Sequence, residues 1–128
     1  DICDQATDNL FIYAEGILDL IPQWAEREEE FVRRAAFASV AAIAWNGKHI
    51  PDEVVAGFFP LIEQYAEDPR NFVKKAVNWA LRNMGKNRAS LREAAVRCAR
   101  QLTESKHASA RWIGKDALKE FAKKFGIN

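Results

Sequence analysis

The segment from Phe72 to Lys86 sets three cations and an indole on one side of a helix. With Lys75 at zero and about 100° of rotation per residue, Arg82 falls at about −20°, Lys86 at about +20° and Trp79 at about +40°. Val73, Val77, Ala80, Leu81 and Met84 fall between about 140° and 240°, so the opposite side is an ordinary apolar stripe. A tryptophan displayed among cations suits a partner that is both anionic and flat-edged: its phosphates meet the cations and its sugar or base meets the indole. The plainer reading is a solvated basic face with one amphipathic aromatic. What separates the two is whether the neighbouring segments repeat the pattern.

They do. Glu30-Phe31-Val32-Arg33-Arg34-Ala35-Ala36 matches Asn71-Phe72-Val73-Lys74-Lys75-Ala76-Val77 at a shift of 41, and Arg111-Trp112-Ile113-Gly114-Lys115 echoes it 40 residues later. Arg34 therefore corresponds to Lys75, with Ala38, Ala41 and Trp45 on its side of the helix; Lys115 and Lys119 take that side of the last one. Periods of about 40 with two helices per unit mark HEAT-like arrays, whose units bury their apolar faces against one another. Stacking would line up Arg34, Lys75 and Lys115 along one surface. Helices packed about 10 Å apart space such a row well for a phosphate backbone.

A second cluster is acidic. Asp1, Asp4 and Asp8 share one side of a helical first segment. Acids at a helix start complement the macrodipole; a chemical role needs one of them to face a cation. Histidines 49 and 107 stand alone, and no serine has a histidine at a telling spacing. The chain has no Cys/His metal set, no His-Glu-x-x-His and no glycine-rich phosphate loop. Chemistry without metal or cofactor is the enzymatic option that these residues support.

The elements that must position these residues are helices. The chain has 128 residues, 48% of them hydrophobic, enough for one domain with a real core. Apolar positions recur at steps of three and four, and alternating strand-like runs are absent. Helices are predicted over about Ile2–Ala14, Ile17–Ala25, Glu28–Trp45, Pro51–Ala66 (kinked at Pro60), Pro69–Lys86, Ser90–Thr103 and Ala108–Phe125, with Gly126 as a stop. The formal charge of +1 hides an asymmetry: residues 1–30 carry nine acids against one base, and residues 31–128 carry 18 bases against nine acids. That favours an anionic partner for the larger part. No apolar run approaches the ~20 residues of a membrane helix, and Cys3 and Cys98 read as reduced, apolar thiols, which favours a cytoplasmic setting.

The stretch Phe72-Val73-Lys74-Lys75-Ala76-Val77-Asn78-Trp79-Ala80-Leu81-Arg82, followed by Lys86, resembles the signature helix of the AlkD-type DNA alkylation repair family, HEAT-like repeat alkylpurine DNA glycosylases. Phe31-Val32-Arg33-Arg34-Ala35-Ala36 is similar to the family's preceding basic helix, and Asp1-Ile2-Cys3-Asp4 to the tail of its Trp-Asp-x-x-Asp motif. The resemblance implies an all-α fold of HEAT-like repeats in a right-handed α-α superhelix. It implies Asp4 as catalytic carboxylate, Trp79 as active-site indole, and Arg34 as a DNA-holding base beside Lys75, Arg82, Lys86 and Lys115. The implied reaction is hydrolysis of the N-glycosidic bond of cationic alkylated purines such as 7-methylguanine or 3-methyladenine in double-stranded DNA, by a monomer without metal. One departure stands out: the motif's tryptophan would precede Asp1. Residues 1–128 are therefore expected to be an N-terminally truncated fragment of a longer single domain. A non-catalytic DNA-binding relative and a protein-interaction scaffold remain open alternatives on the same scaffold.

Overall fold

The computed structural model describes residues 14–126, and these are all helix, turn and short connections. The helices are α1 (Ala14–Glu26), α2 (Glu30–Asn46), α3 (Asp52–Ala56), α4 (Phe59–Tyr65), α5 (Asn71–Asn87), α6 (Arg92–Thr103, entered through a 3-10 turn at Ala89–Leu91) and α7 (Ala108–Phe125). The helix expected from Ile2, with Asp1, Cys3, Asp4 and Asp8, lies outside the described residues. None of the helices is long and apolar enough to cross a membrane.

The apolar periodicity becomes the core as expected. Ile17, Ile21 and Ala25 form the buried stripe of α1; Val73, Val77, Ala80, Leu81 and Met84 form that of α5. Residues Ala36, Phe37, Val40, Ala41, Ile43 and Ala44 bury α2 over most of its circumference, because α1 packs on one flank and α5 on the other. The expected Pro51–Ala66 helix is instead two. Pro60 fits only in a first turn, where its missing N–H has no partner to lose, so the chain breaks at Gly57-Phe58 and restarts as α4 just before it. At the far end Gly126 takes φ +69°, and its N–H closes α7 onto the Ala122 carbonyl at 2.9 Å. Cys98 packs as an apolar residue on α6, and burial pushes its thiol up to about 12.

α5 lies between α2 and α7. Phe31 stacks on Phe72 at 6.0 Å between ring centroids, so the 41-residue shift in sequence is a side-by-side register in space. On the other flank Lys74 lies over Trp112 and Lys86 pairs with Glu120, so α5 and α7 advance in the same direction. α7 in turn packs on α6, where Gly114 lies against the α6 backbone.

Three arginines fix this register with polar contacts. Arg88 is buried and donates to the carbonyls of Ile43, Ala44, Gly47 and Ile50 and to Asp52. It thereby satisfies the orphan carbonyls at the end of α2. Asp68 accepts from Arg33 at 2.8 Å and from Arg70 at 2.8 Å; Arg33 also caps Ala25 at 2.7 Å and Arg70 reaches Glu28 at 2.6 Å. Burial raises the Asp68 carboxyl, but the hydrogen bonds from Arg70 and Arg33 outweigh it and hold the group at about 2.

Two outcomes follow from these contacts. A methyl on Gly114 would sit 2.4 Å from the Ala99 carbonyl, so Gly114→Ala should force α6 and α7 apart and destabilise by about 1–3 kcal/mol in urea unfolding. The Asp68 contribution should be complete above its unfolded value near pH 4 and disappear as pH falls toward 2. Linkage puts it at on the order of 2 kcal/mol. Asp68→Asn should lower stability at neutral pH and flatten the acid limb of a stability-versus-pH curve; an unchanged acid limb would show that other carboxylates carry it.

Candidate functional site

α2 and α5 leave a groove between them of about 340 Å³, lined by Arg34, Ala38, Phe72, Lys75, Ala76 and Trp79. Its existence follows from the repeat. Ala38 on α2 corresponds to Trp79 on α5, so the earlier helix presents a methyl where the later one presents an indole. The floor is therefore low beside a tall wall. Phe72 is the other wall, one turn before Ala76 and 48% exposed; Trp79 is 38% exposed. The two rings have the helical spacing that places them on one face (i, i+7).

The cations around the groove fall into two groups. Arg34 lies 5.9 Å from the Phe72 ring centroid, close enough for a cation–π contact that braces the guanidinium at the groove mouth. Lys75 is exposed on the same lip, and Lys115 is exposed at the equivalent position of α7. Among the described residues no carboxylate pairs with Arg34, Lys75 or Lys115. Arg82 and Lys86 lie further along the same face of α5 and are engaged by α7. Lys86 donates to Glu120 at 3.1 Å and Arg82 approaches Asp116 at 4.0 Å, while the buried Nε of Arg82 has no hydrogen-bond partner. The hydrogen bond from Lys86 is the main reason the Glu120 carboxyl lies below its ordinary range.

Of the residues singled out by sequence, Arg34, Lys75 and Trp79 are thus brought into one groove. Lys115 stands on the neighbouring helix outside it, Arg82 and Lys86 sit at its far end in ion pairs, and Asp4 lies outside the described residues. Sequence reasoning passed over Phe31, Phe72 and Trp112. The signal was present: all three occupy the same repeat position, and each is an exposed aromatic. It also passed over Asp116 and Glu120, whose partners lie 34 residues earlier, a separation unrelated to the 41-residue repeat.

A larger cleft, about 540 Å³, opens where Arg33, Tyr65, Asp68 and Arg70 meet. Its charged groups already satisfy one another, and Arg33 lies over the Tyr65 ring at 4.5 Å. It is a structural clamp. The α2–α5 groove is the place with aromatic walls and unengaged positive charge, which suits an anion that also presents an apolar edge.

The family described as DNA alkylation repair enzyme matches residues 1–121. No curated protein and no solved structure matches the chain.

Proposed function

The chain belongs to the DNA alkylation repair enzyme family, and on that footing we propose that it hydrolyses the N-glycosidic bond of cationic alkylated purines, 7-methylguanine and 3-methyladenine among them, in duplex DNA. The observation that carries this reading is the convergence of Trp79, Phe72, Arg34 and Lys75 on one groove. In the proposed arrangement the helices stack as HEAT-like repeats in a right-handed superhelix, and the face bearing Arg34, Lys75 and Lys115 draws in the DNA. Phosphates take these three cations, which no carboxylate holds among the described residues, and the deoxyribose of the damaged nucleotide takes the indole.

The chemistry needs little from the protein. An alkylated purine already carries positive charge, so when the C1′–N bond breaks the base leaves with the bonding pair as a neutral molecule. Positive charge appears on the sugar as an oxocarbenium ion, as in glycoside hydrolysis. In this reading the Asp4 carboxylate stabilises that charge and orients the water that adds to C1′; the proton lost by the water goes to solvent or to the carboxylate. Trp79 packs against the sugar and lends its electron-rich face to the same charge. The products are the free base and an abasic site. The groove is shallow and open along α2 and α5, which suits recognition through sugar and backbone more than extrusion of the base into a closed pocket.

Single-turnover release of 7-methylguanine from methylated duplex tests the proposal. Asp4→Asn keeps the shape and removes the charge, and should slow release by about 10²–10³ with DNA affinity nearly unchanged. Ala38→Phe fills the groove from its floor and should slow release by about 10² through misplacement of the sugar, with an unchanged melting temperature because the site is only partly buried. Equal rates in the parent and Asp4→Asn would leave a DNA-binding protein without glycosylase chemistry.

A further inference from the structure

We infer that one DNA strand crosses α2, α5 and α7 in their N-terminal halves, its phosphates on Arg34, Lys75 and Lys115 and its sugars or base edges against Phe31, Phe72 and Trp112, while Arg82 and Lys86 take no phosphate. The inference rests on the duplex-binding reading above and adds to it the path of the strand and three aromatic contacts.

Two independent observations lead to it. The first is how charge is distributed along the face. In the N-terminal halves of the three helices, Arg34, Lys75 and Lys115 have no carboxylate partner among the described residues. Toward the end of α5 the cations do have one: Glu120 holds Lys86 at 3.1 Å and Asp116 stands 4.0 Å from Arg82. A phosphate arriving there would have to displace a carboxylate already in contact and would meet the other at close range, a repulsive juxtaposition. The Nε of Arg82 is buried, so any phosphate there could meet only the outer edge of a guanidinium that Asp116 already faces. Of the basic residues on the face, Arg82 and Lys86 are engaged by α7, whereas Arg34, Lys75, Lys115 and Lys119 have no carboxylate partner among the described residues.

The second is the row of rings beside those three charges. Phe31 is 68% exposed and Trp112 39%, with Phe72 between them. They form a continuous line: Phe31 stacks on Phe72 at 6.0 Å, Arg34 lies over Phe72, and Lys74 lies 4.8 Å over Trp112 on the far side. Each ring precedes its repeat's open cation by one turn. Exposed rings alternating with cations across three helices, perpendicular to the helix axes, are the layout of a surface that follows a nucleic-acid strand. An acidic or neutral protein partner would meet the cations or the rings, but the regular alternation matches a repeating phosphate–sugar unit.

Salt titrations of duplex affinity test the path, read by fluorescence anisotropy with a short labelled, undamaged duplex. Arg34→Gln, Lys75→Gln and Lys115→Gln should each flatten the slope of log K against log salt by about 0.9. The charge-neutral pairs Lys86→Gln with Glu120→Gln, and Arg82→Gln with Asp116→Asn, should leave slope and affinity unchanged. Phe31→Ala and Trp112→Ala should weaken binding at least about fivefold with no change in slope, as loss of a stacking contact does. Flattening in either charge-neutral pair would put a phosphate at the far end of α5 and overturn the path while leaving duplex binding intact. Ring variants that bind as the parent does would also overturn it. A parent protein whose affinity ignores salt would remove the duplex-binding reading and the path together.

Discussion

The groove depends on how closely α2 can lie against α5. The two helices pack extensively on each other, and their buried positions are rich in small residues, Ala36, Ala41 and Ala44 on α2 and Ala76 and Ala80 on α5. Small side chains let two helix axes approach toward the lower end of the usual 8–10 Å range. At that separation Arg34 reaches the ring of Phe72, and Ala38 and Ala76 form a floor beside Trp79. A larger residue at one of the buried alanines would widen the spacing and carry the cation of one helix away from the rings of the other. The alanine-rich composition of α2, which reads in sequence only as good helix propensity, is therefore also what makes the site.

Apolar packing alone would allow the two helices to slide by a turn, since ridges and grooves repeat along both. Arg88 and Asp68 remove that freedom at opposite ends. Arg88, just past the end of α5, uses five hydrogen bonds on carbonyls and one carboxylate around the end of α2 and the turn that follows. Asp68, just before the start of α5, holds Arg33 of α2 together with Arg70. Hydrogen bonds of this kind are geometrically exacting, and leaving any buried member unpaired costs far more than the bond itself contributes. The core supplies cohesion, and these two clamps supply position.

Much of this was legible in the sequence, because periodicity reports faces. The apolar stripe of α5, the correspondence of Arg34 with Lys75, the placement of Trp79 beside them and the glycine stop at Gly126 all follow from counting residues. Three things did not follow. The break at Gly57-Phe58 falls before Pro60, because a proline dictates where a helix can begin and not merely where it bends. The pairing of Arg82 and Lys86 with Asp116 and Glu120 depends on the offset between adjacent helices, which the repeat length does not set. The clamp functions of Arg88 and Asp68 were invisible because a buried arginine in a turn has the same letters on either side as an exposed one. Those misses share a cause: each is a contact between elements, whereas the wheel and the repeat describe one element at a time.

Disulfide trapping distinguishes the α2–α5 groove from the rest of the surface as the proposed seat of the reacting nucleotide. In a background with Cys3→Ser and Cys98→Ala, a thiol introduced by Ala38→Cys is presented to duplex DNA carrying a tethered thiol on the phosphate beside an alkylated purine. Glu93→Cys, on the exposed side of α6, serves as the comparison. Rapid crosslinking is expected at Ala38→Cys, dependent on the position of the tether along the strand, with only background crosslinking at Glu93→Cys. Equal trapping at both positions, or trapping at Ala38→Cys that ignores where the tether lies, would mean that the reacting nucleotide does not sit in the groove.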